Sequence, residues 1–338
     1  MGDLVQVMEG MLPPAQGSDA VIVGSDLSDD AAVVRLPGDD RRYLVLTTDT
    51  IAPLVDEPEI FGRIAAANAL SDVYAMGGRP LYALNLVFFP DKALPLTVLQ
   101  AIMRGASAAC AEVGVPIVGG HSVRNDDLLF GLAVTGEVAA DGLLSNRGAS
   151  AGEALVLSKA LGTGVIGTAI KKDLASEQQM RVAIDSMCRL NREALEIGRR
   201  YGITAATDVT GFGLLGHLRN ILRGSALDAV VELSALPLLP GALELAADGH
   251  MPGGSKANLE TIAPALRPSG VVGTVTGEAE LRLQLAADAQ TSGGLLMSLP
   301  AEGADAAVSE LQGSGHAAAR VGALMPPAAP DGGAITTA

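Results

Sequence analysis

Short apolar runs alternate along this chain with longer runs whose apolar residues recur every three or four positions. The short runs read as strands over Val21–Val23, Ala31–Leu36, Tyr43–Thr48, Leu81–Phe89, Pro116–Val118, Leu132–Val138 and Leu155–Ser158. The longer patterns predict helices over Leu96–Val113 and Gln178–Tyr201, the second stopped by Gly202. Such alternation predicts an α/β or α+β fold. Glycine is plentiful, with 41 residues, and it clusters between apolar runs, so the turns are tight. The small, polar stretch Ala139–Gly152 marks a domain boundary. It divides the chain into 1–145 and 146–326, and the Pro- and Ala-rich segment 327–338 reads as a flexible tail.

The segment PGDDRR, 37–42, separates two strand runs and predicts a hairpin. With Leu36 opposite Tyr43, Asp30 falls opposite Asp49. Like charges directly opposite are destabilising. Either a cation lies between them or both are solvated strand ends. The next segment, DEPEIFGRIAAANALSDVYAMGGRP, predicts another helix. Asp56 can cap it, Pro58 fits its first turn, and Gly77 and Gly78 can end it. Phe61, Ile64, Ala65, Asn68 and Asp72 share one face. That face starts apolar and ends in an amide and a carboxylate one turn apart. Polar groups ending a buried stripe need partners. The pair is therefore part of a site or lies at a solvated margin.

Composition narrows the functions. There are 38 acids against 23 bases, a net charge of −15. That argues against nucleic acid or an anionic membrane as partner. A nucleotide substrate stays allowed, because bound Mg²⁺ reverses the local field of an acidic site. Hydrophobic residues at 49% and charged residues at 18% describe a folded chain with a sizeable core. Trp is absent and aromatics are 3%, too few for base-stacking platforms. No run approaches the roughly 20 apolar residues of a membrane span. The opening MGDLVQVMEG lacks the features of a signal peptide. Cys110 and Cys188 make no disulfide framework, so the default compartment is reducing cytosol. Both fall in helical patterns and read as buried and inert.

Three glycine loops can turn backbone N–H groups toward an anion: Val118–Ser122, Thr207–Gly213 before the helical run LLGHLRNIL, and Asp288–Gly294 before LLMSL. None is a Walker or dinucleotide loop, and each alone reads as a turn as readily as a site. His121 is the histidine of such a loop, whereas His217 reads as a core or helix-surface residue. No Cys/His spacing matches a zinc site, and no G-x-S-x-G elbow occurs. Four carboxylates remain: Asp30, Asp49, Asp72 and Asp208, each at the end of an element beside turn residues. Hard oxygen ligands with glycine loops suit Mg²⁺ and a polyphosphate. The residues by themselves thus point to a Mg-nucleotide phosphotransferase or ligase.

At these positions the chain resembles the selenide, water dikinases, or selenophosphate synthetases. The resemblance runs through DDAAVVRL from Asp29, the long stretch from Thr47 to Val87, GGHSV from Gly119 and GLAVTGEV from Gly131. It continues through LSKALGTGVIGTA from Leu157, ATDVTGFGLLGHL from Ala206, PGALELAADGHMPGGSKAN from Pro240 and DAQTSGGLLM from Asp288. It implies conversion of ATP, selenide and water to selenophosphate, AMP and phosphate. It also implies a two-domain fold like aminoimidazole ribonucleotide synthetase, with N-terminal sheets joined into a barrel in a homodimer and an α+β C-terminal domain. The family's Mg²⁺ ligands fall on Asp30, Asp72 and Asp208. Its nucleotide contacts fall on Leu27, Ser28, Asp29, Asp49 and Asp72, with Gly120, His121 and Ser122 given by the partner subunit. Asn68 lies in the same motif. The family's Cys or selenocysteine and its Gly-Cys-Lys are expected upstream of Met1, and neither Cys110 nor Cys188 matches them. On that reading, the catalytic residues are unassigned and this stretch alone forms little selenophosphate. The alternative is a non-catalytic Mg-nucleotide-binding member of the fold that acts as an assembly subunit.

Overall fold

The computed structural model describes residues 19–24, 28–268 and 276–338. Its first sheet comprises β1 (Val21–Val23), β2 (Ala32–Leu36), β3 (Asp39–Ile51), β4 (Arg79–Phe89), β5 (Ile117–Arg124) and β6 (Leu129–Ala139). The strand order is β1-β2-β3-β6-β4-β5, with only the β4–β5 pair parallel. Helix α1 (Pro58–Ala75) packs on one face, and α2 (Leu96–Glu112) packs on α1. The strands alternate accordingly. On β4, Ala83, Val87 and Phe89 are buried while Tyr82 and Leu84 are exposed on the other face.

The second sheet comprises β7 (Ala154–Leu157), β8 (Ala205–Asp208), β9 (Asp228–Val231), β10 (Leu266–Pro268), β11 (Leu295–Leu299), β12 (Ala319–Met325) and β13 (Ile335–Thr337). Its order is β10-β13-β9-β12-β7-β11-β8. The strands β7, β8 and β11 are buried throughout, as expected of strands covered on both faces. Their connections carry α3 (Thr163–Ile170), α4 (Glu177–Cys188), α5 (Arg192–Arg200), α6 (Gly213–Ser225), α7 (Ala242–Ala247), α8 (Gly253–Ile262), α9 (Glu278–Ala286) and α10 (Ala301–Gly313). Among the described residues no helix is long and apolar enough to cross a membrane.

The α/β class is as the sequence pattern predicts, and four local readings change. First, the hairpin register slips by one. Arg35, not Leu36, faces Tyr43, because Leu36 closes on Asp39 around Pro37 and Gly38 and the ladder is irregular between Arg35 and Leu36. The ladder stops at Ala32 opposite Leu46, so Asp30 does not oppose Asp49. Second, Gln178–Tyr201 is two helices. Arg189 is extended at ψ 126°, and the side chain of Asn191 is drawn away to Ser71 and Gly293. Third, the N-cap position of α1 is Glu57 and not Asp56, its side chain makes no capping bond, and Pro58 lies in the first turn. Fourth, the tail is not loose. Ile335 is fully buried, and β13 lies between β9 and β10.

The contact between α1 and α2 sets how closely the helices approach. A Cβ on Gly62 would stand 1.9 Å from the Ile102 carbonyl oxygen, and one on Gly105 would stand 1.8 Å from that of Glu59. Neither backbone yields cheaply, so the two glycines hold the helices at backbone distance. We expect Gly105→Ala to cost about 1–3 kcal/mol through overpacking, read as a lower urea midpoint at unchanged slope. An unaltered midpoint would show that this helix pair separates freely.

Candidate active site

The acidic residues assemble where α1, the end of β3 and the end of β8 meet. On β3, Val45, Thr47 and Asp49 point to the face that α1 covers. On α1, Asn68 and Ser71 are only 4% and 0% exposed. Asp72 is half-buried and bonded to Thr47, so the polar end of the stripe faces a group of partners and is not a freely solvated margin. Asp208 ends β8 opposite Leu295 and is buried at 1% exposure.

Each carboxylate has a neutral donor. Thr47 Oγ1 donates to Asp72 Oδ2, and Asn68 Nδ2 donates to Asp49 Oδ2. Thr207 Oγ1 donates to Asp30 Oδ1 at 2.8 Å. Ser71 bonds to Asp208 and itself accepts from Asn191 Nδ2 at 2.8 Å. The amide of Ser292 donates to Asn68 Oδ1 at 2.9 Å, tying α1 to the Asp288–Gly294 loop. Oδ2 of Asp208 is buried and has no hydrogen-bond partner.

These surroundings raise the acids' proton affinity. Burial, then the charges of Asp208 and Asp72, push Asp30 well above the usual carboxylate range. Burial, then Asp208, does the same to Asp72. Asp49 is raised by burial, and Asp208 is pushed up to about 6 by burial, with Asp49 adding to it. The four groups share one space and repel one another. Among the described residues no three acidic, His or Cys side chains already meet at a cation-sized point.

Two further buried groups lie at this site: Lys159, not singled out from the sequence, and His217, which reads there as a core or helix-surface residue. Lys159 is 3% exposed, and its Nζ donates to the carbonyls of Arg189 and Ser292 at 2.7 and 2.8 Å. Burial pushes it down to about 7, and Asp208 pulls the other way. His217 is 6% exposed and bonds Thr207. A lysine or histidine surrounded by small and apolar residues is the one signal the sequence carried for either.

The remaining expected residues separate. Ser28 and Asp29 lie beside Asn146, whose backbone N–H donates to Asp29 Oδ1 at 2.7 Å. Leu27 lies outside the described residues. Gly120, His121 and Ser122 form no loop but the edge strand β5, exposed to solvent. Gly120 pairs with Asn85, Asn85 with Leu132, and Leu132 with Asp49, so Gly120 stands three strands from Asp49. That is on the order of 14 Å at the usual strand spacing. A Cβ at Gly120 would stand 2.3 Å from the Asn85 carbonyl oxygen. Together Asn85, Gly119, Gly120 and His121 line an open cavity of about 560 Å³.

The third glycine loop supplies an anion instead of binding one. Asp288 Oδ2 accepts from the backbone N–H groups of Gly164 and Val165, both at 3.2 Å, at the start of α3. Gln290 Oε1 accepts from the N–H groups of Gly162 and Thr163 at 3.0 and 3.1 Å. The start of α3 is thus capped from within by two side chains of this loop.

The chain also resembles known proteins over most of its length. The N-terminal domain model of AIR synthase related proteins matches residues 28–138, and the C-terminal domain model matches 150–327. A selenide, water dikinase of Myxococcus xanthus is 46% identical over 96% of this chain and 89% of its own length. One from Nitratidesulfovibrio vulgaris is 43% identical over 96% and 91%. Among solved structures, thiamine-monophosphate kinase from Stenotrophomonas maltophilia superposes with a TM-score of 0.66 at 19% identity, covering 99% of this chain and 94% of that one. The hydrogenase maturation protein HypE in complex with ATP superposes at 0.63 and 22% identity, covering 92% and 85%. These two likenesses concern the fold.

The site's titration has a definite sign. Folded Asp208 and Asp288, each at about 6, hold protons more tightly than the unfolded chain at 3.8. Their contribution to stability is present below 3.8 and is lost as pH rises through 6. His217, lowered to about 4, opposes them between 4 and 6.5. With more acids than imidazoles in the site, the chelator-treated protein should melt lower at pH 7.5 than at pH 5 (round values either side of about 6). Mg²⁺ should raise the melting temperature more at the higher pH, where protons no longer compete. An equal Mg²⁺ shift at both would contradict the cluster's charge state.

Proposed function

This chain belongs to the selenide, water dikinase family, and we propose that its aspartate cluster is where the family's reaction takes place. The protein makes selenophosphate from selenide, ATP and water, releasing AMP and phosphate. Near-full-length identity to several such dikinases favours an enzyme over a non-catalytic binding subunit. The observation that carries the site reading is the convergence of four carboxylates from separate elements, Asp208 buried and Asp30, Asp49 and Asp72 half-buried. Their hydroxyl and amide donors leave the negative charge in place.

That donor set fits Mg²⁺: hard oxygens, mutual repulsion to be relieved, and an unpartnered buried oxygen on Asp208. Asp30, Asp72 and Asp208 are the ligands of this reading. A bound Mg²⁺ would neutralise charge on the phosphate oxygens of ATP. The chain's own residues do the rest. Thr47 and Thr207 fix the orientation of Asp72 and Asp30. Asn68 holds Asp49 and, through Ser292, the adjacent loop. The packing of α1 against β3 and β8 buries Asp208 and half-buries Asp49 and Asp72. Ser28, Asp29, Asp49 and Asn68 then meet the nucleotide, with Leu27 in the set by resemblance alone.

Gly120, His121 and Ser122 reach a nucleotide best from a second copy, given their place on the far edge of the sheet. Leu46, Tyr82, Leu84, Val118 and Val123 are exposed on this same sheet, and a homodimer closed over it would bury them. We take the N-terminal sheet, within 1–145, as the dimerisation and nucleotide domain, and 146–326 as the second domain. The free cysteines Cys110 and Cys188 suit a cytoplasmic protein.

Asp72→Asn should weaken Mg²⁺-dependent ATP binding at least about tenfold by calorimetry, since it removes a charged ligand. Unchanged affinity would argue against the assignment. His121→Ala should weaken nucleotide binding in trans. Mixed dimers carrying His121→Ala on one subunit and Asp72→Asn on the other should keep one competent site. Equal binding at both sites would count against a shared site.

A further inference from the structure

His217 stands on α6 with both ring nitrogens engaged. The backbone N–H of Thr210 donates to Nε2 at 3.2 Å. A backbone amide can only donate, so Nε2 is an acceptor. A neutral imidazole then carries its hydrogen on Nδ1. Burial keeps the ring neutral, lowering it to about 4. Nδ1 lies 3.1 Å from Thr207 Oγ1 and donates to it. Thr207 has one hydroxyl hydrogen and two acceptors in reach: Asp30 Oδ1 at 2.8 Å and the Asp208 carbonyl at 3.4 Å. With the imidazole hydrogen occupying one side of Oγ1, the hydroxyl hydrogen points away from the ring, toward the nearer acceptor.

We propose that His217 is a positioning residue for the reaction: through Thr207 it commits Asp30 Oδ1 as an acceptor and leaves Oδ2 to face a divalent cation. A neutral chain suits this role. A lysine or arginine in its place would hold the carboxylate equally well but cancel the charge that makes it a ligand. The Phe212 ring, 5.6 Å from the imidazole, further limits the turn of the ring. The inference rests on the reading of Asp30 as a Mg²⁺ ligand, and the test separates the two.

The probe is Mn²⁺, titrated by electron paramagnetic resonance with a non-hydrolysable ATP analogue on the full-length protein. Melting temperatures of all variants are measured alongside. Thr207→Val and His217→Leu should each weaken Mn²⁺ binding about tenfold. The double variant should lose no more than the worse single variant, because both break one chain. Thr207→Ser, which keeps the hydroxyl, and His217→Asn, which keeps a donor near Nδ1, should stay within about twofold of wild type. A folded His217→Leu with wild-type affinity overturns the inference. If that variant does not fold, Thr207→Val with wild-type affinity does so. Losses that multiply in the double variant overturn it too. Asp30→Asn with unchanged Mn²⁺ affinity would instead bring down the metal-ligand reading beneath it.

Discussion

The constraint on which the architecture turns is the enclosure of like charges. Four carboxylates from β3, α1, β8 and the turn before β2 share an interior that raises the proton affinity of every one. Folding alone gives little reason to collect them there, since buried charges without counter-charges are unfavourable. The protein tolerates them by supplying neutral donors, one to each acid. Lys159 is the cationic side chain nearest in effect, and its ammonium is bound to two carbonyls. The result is a pocket of like charges whose mutual repulsion the surrounding side chains do not cancel. Stability and function are therefore set against each other at one place.

The rest of the fold can be read as support for that pocket. Helix α1 is buried over most of its length because it must reach the seam between the two sheets. Its alanines, and the glycines at its contact with α2, let it lie close to everything around it. The break between α4 and α5 has the same origin. Asn191 leaves the helical path to serve Ser71 and the Gly293 carbonyl, and so backs Asp208 from behind. Asp288 acts likewise for the other half, closing the start of α3 with a carboxylate of its own. Irregularities that look like defects of secondary structure are thus polar side chains recruited to a common centre.

Much of this was legible in the sequence where period and position suffice. The face of α1 that ends in Asn68 and Asp72 follows from helical geometry alone, and the class follows from alternation. The hairpin was legible but its register was not. Turn residues announce a reversal, yet the irregularity at Arg35 and Leu36 comes from how the Pro37–Gly38 turn closes. Lys159 and the partners of His217 escaped because a single polar residue in an apolar run has no period, and only tertiary contacts give it partners. The strand at Ile335 escaped because its composition resembles a linker while its pairing is supplied by β9 and β10. The edge strand holding Gly120 was read as a loop because glycine predicts turns more strongly than it predicts close packing on Asn85.

The position of β13 has a consequence for how the chain is made. Among the described residues, strand β10 joins the second sheet only through β13, and β13 in turn rests on β9. A ribosome delivers residues 335–337 long after it delivers 228–231 and 266–268. Until then β9 has an open flank and β10 has no neighbour to bond. One side of the sheet is therefore assembled out of chain order, with the latest piece inserted between two earlier ones. A growing polypeptide must keep that slot vacant for the time it takes to synthesise about a hundred residues, roughly 5–20 s at ordinary elongation rates.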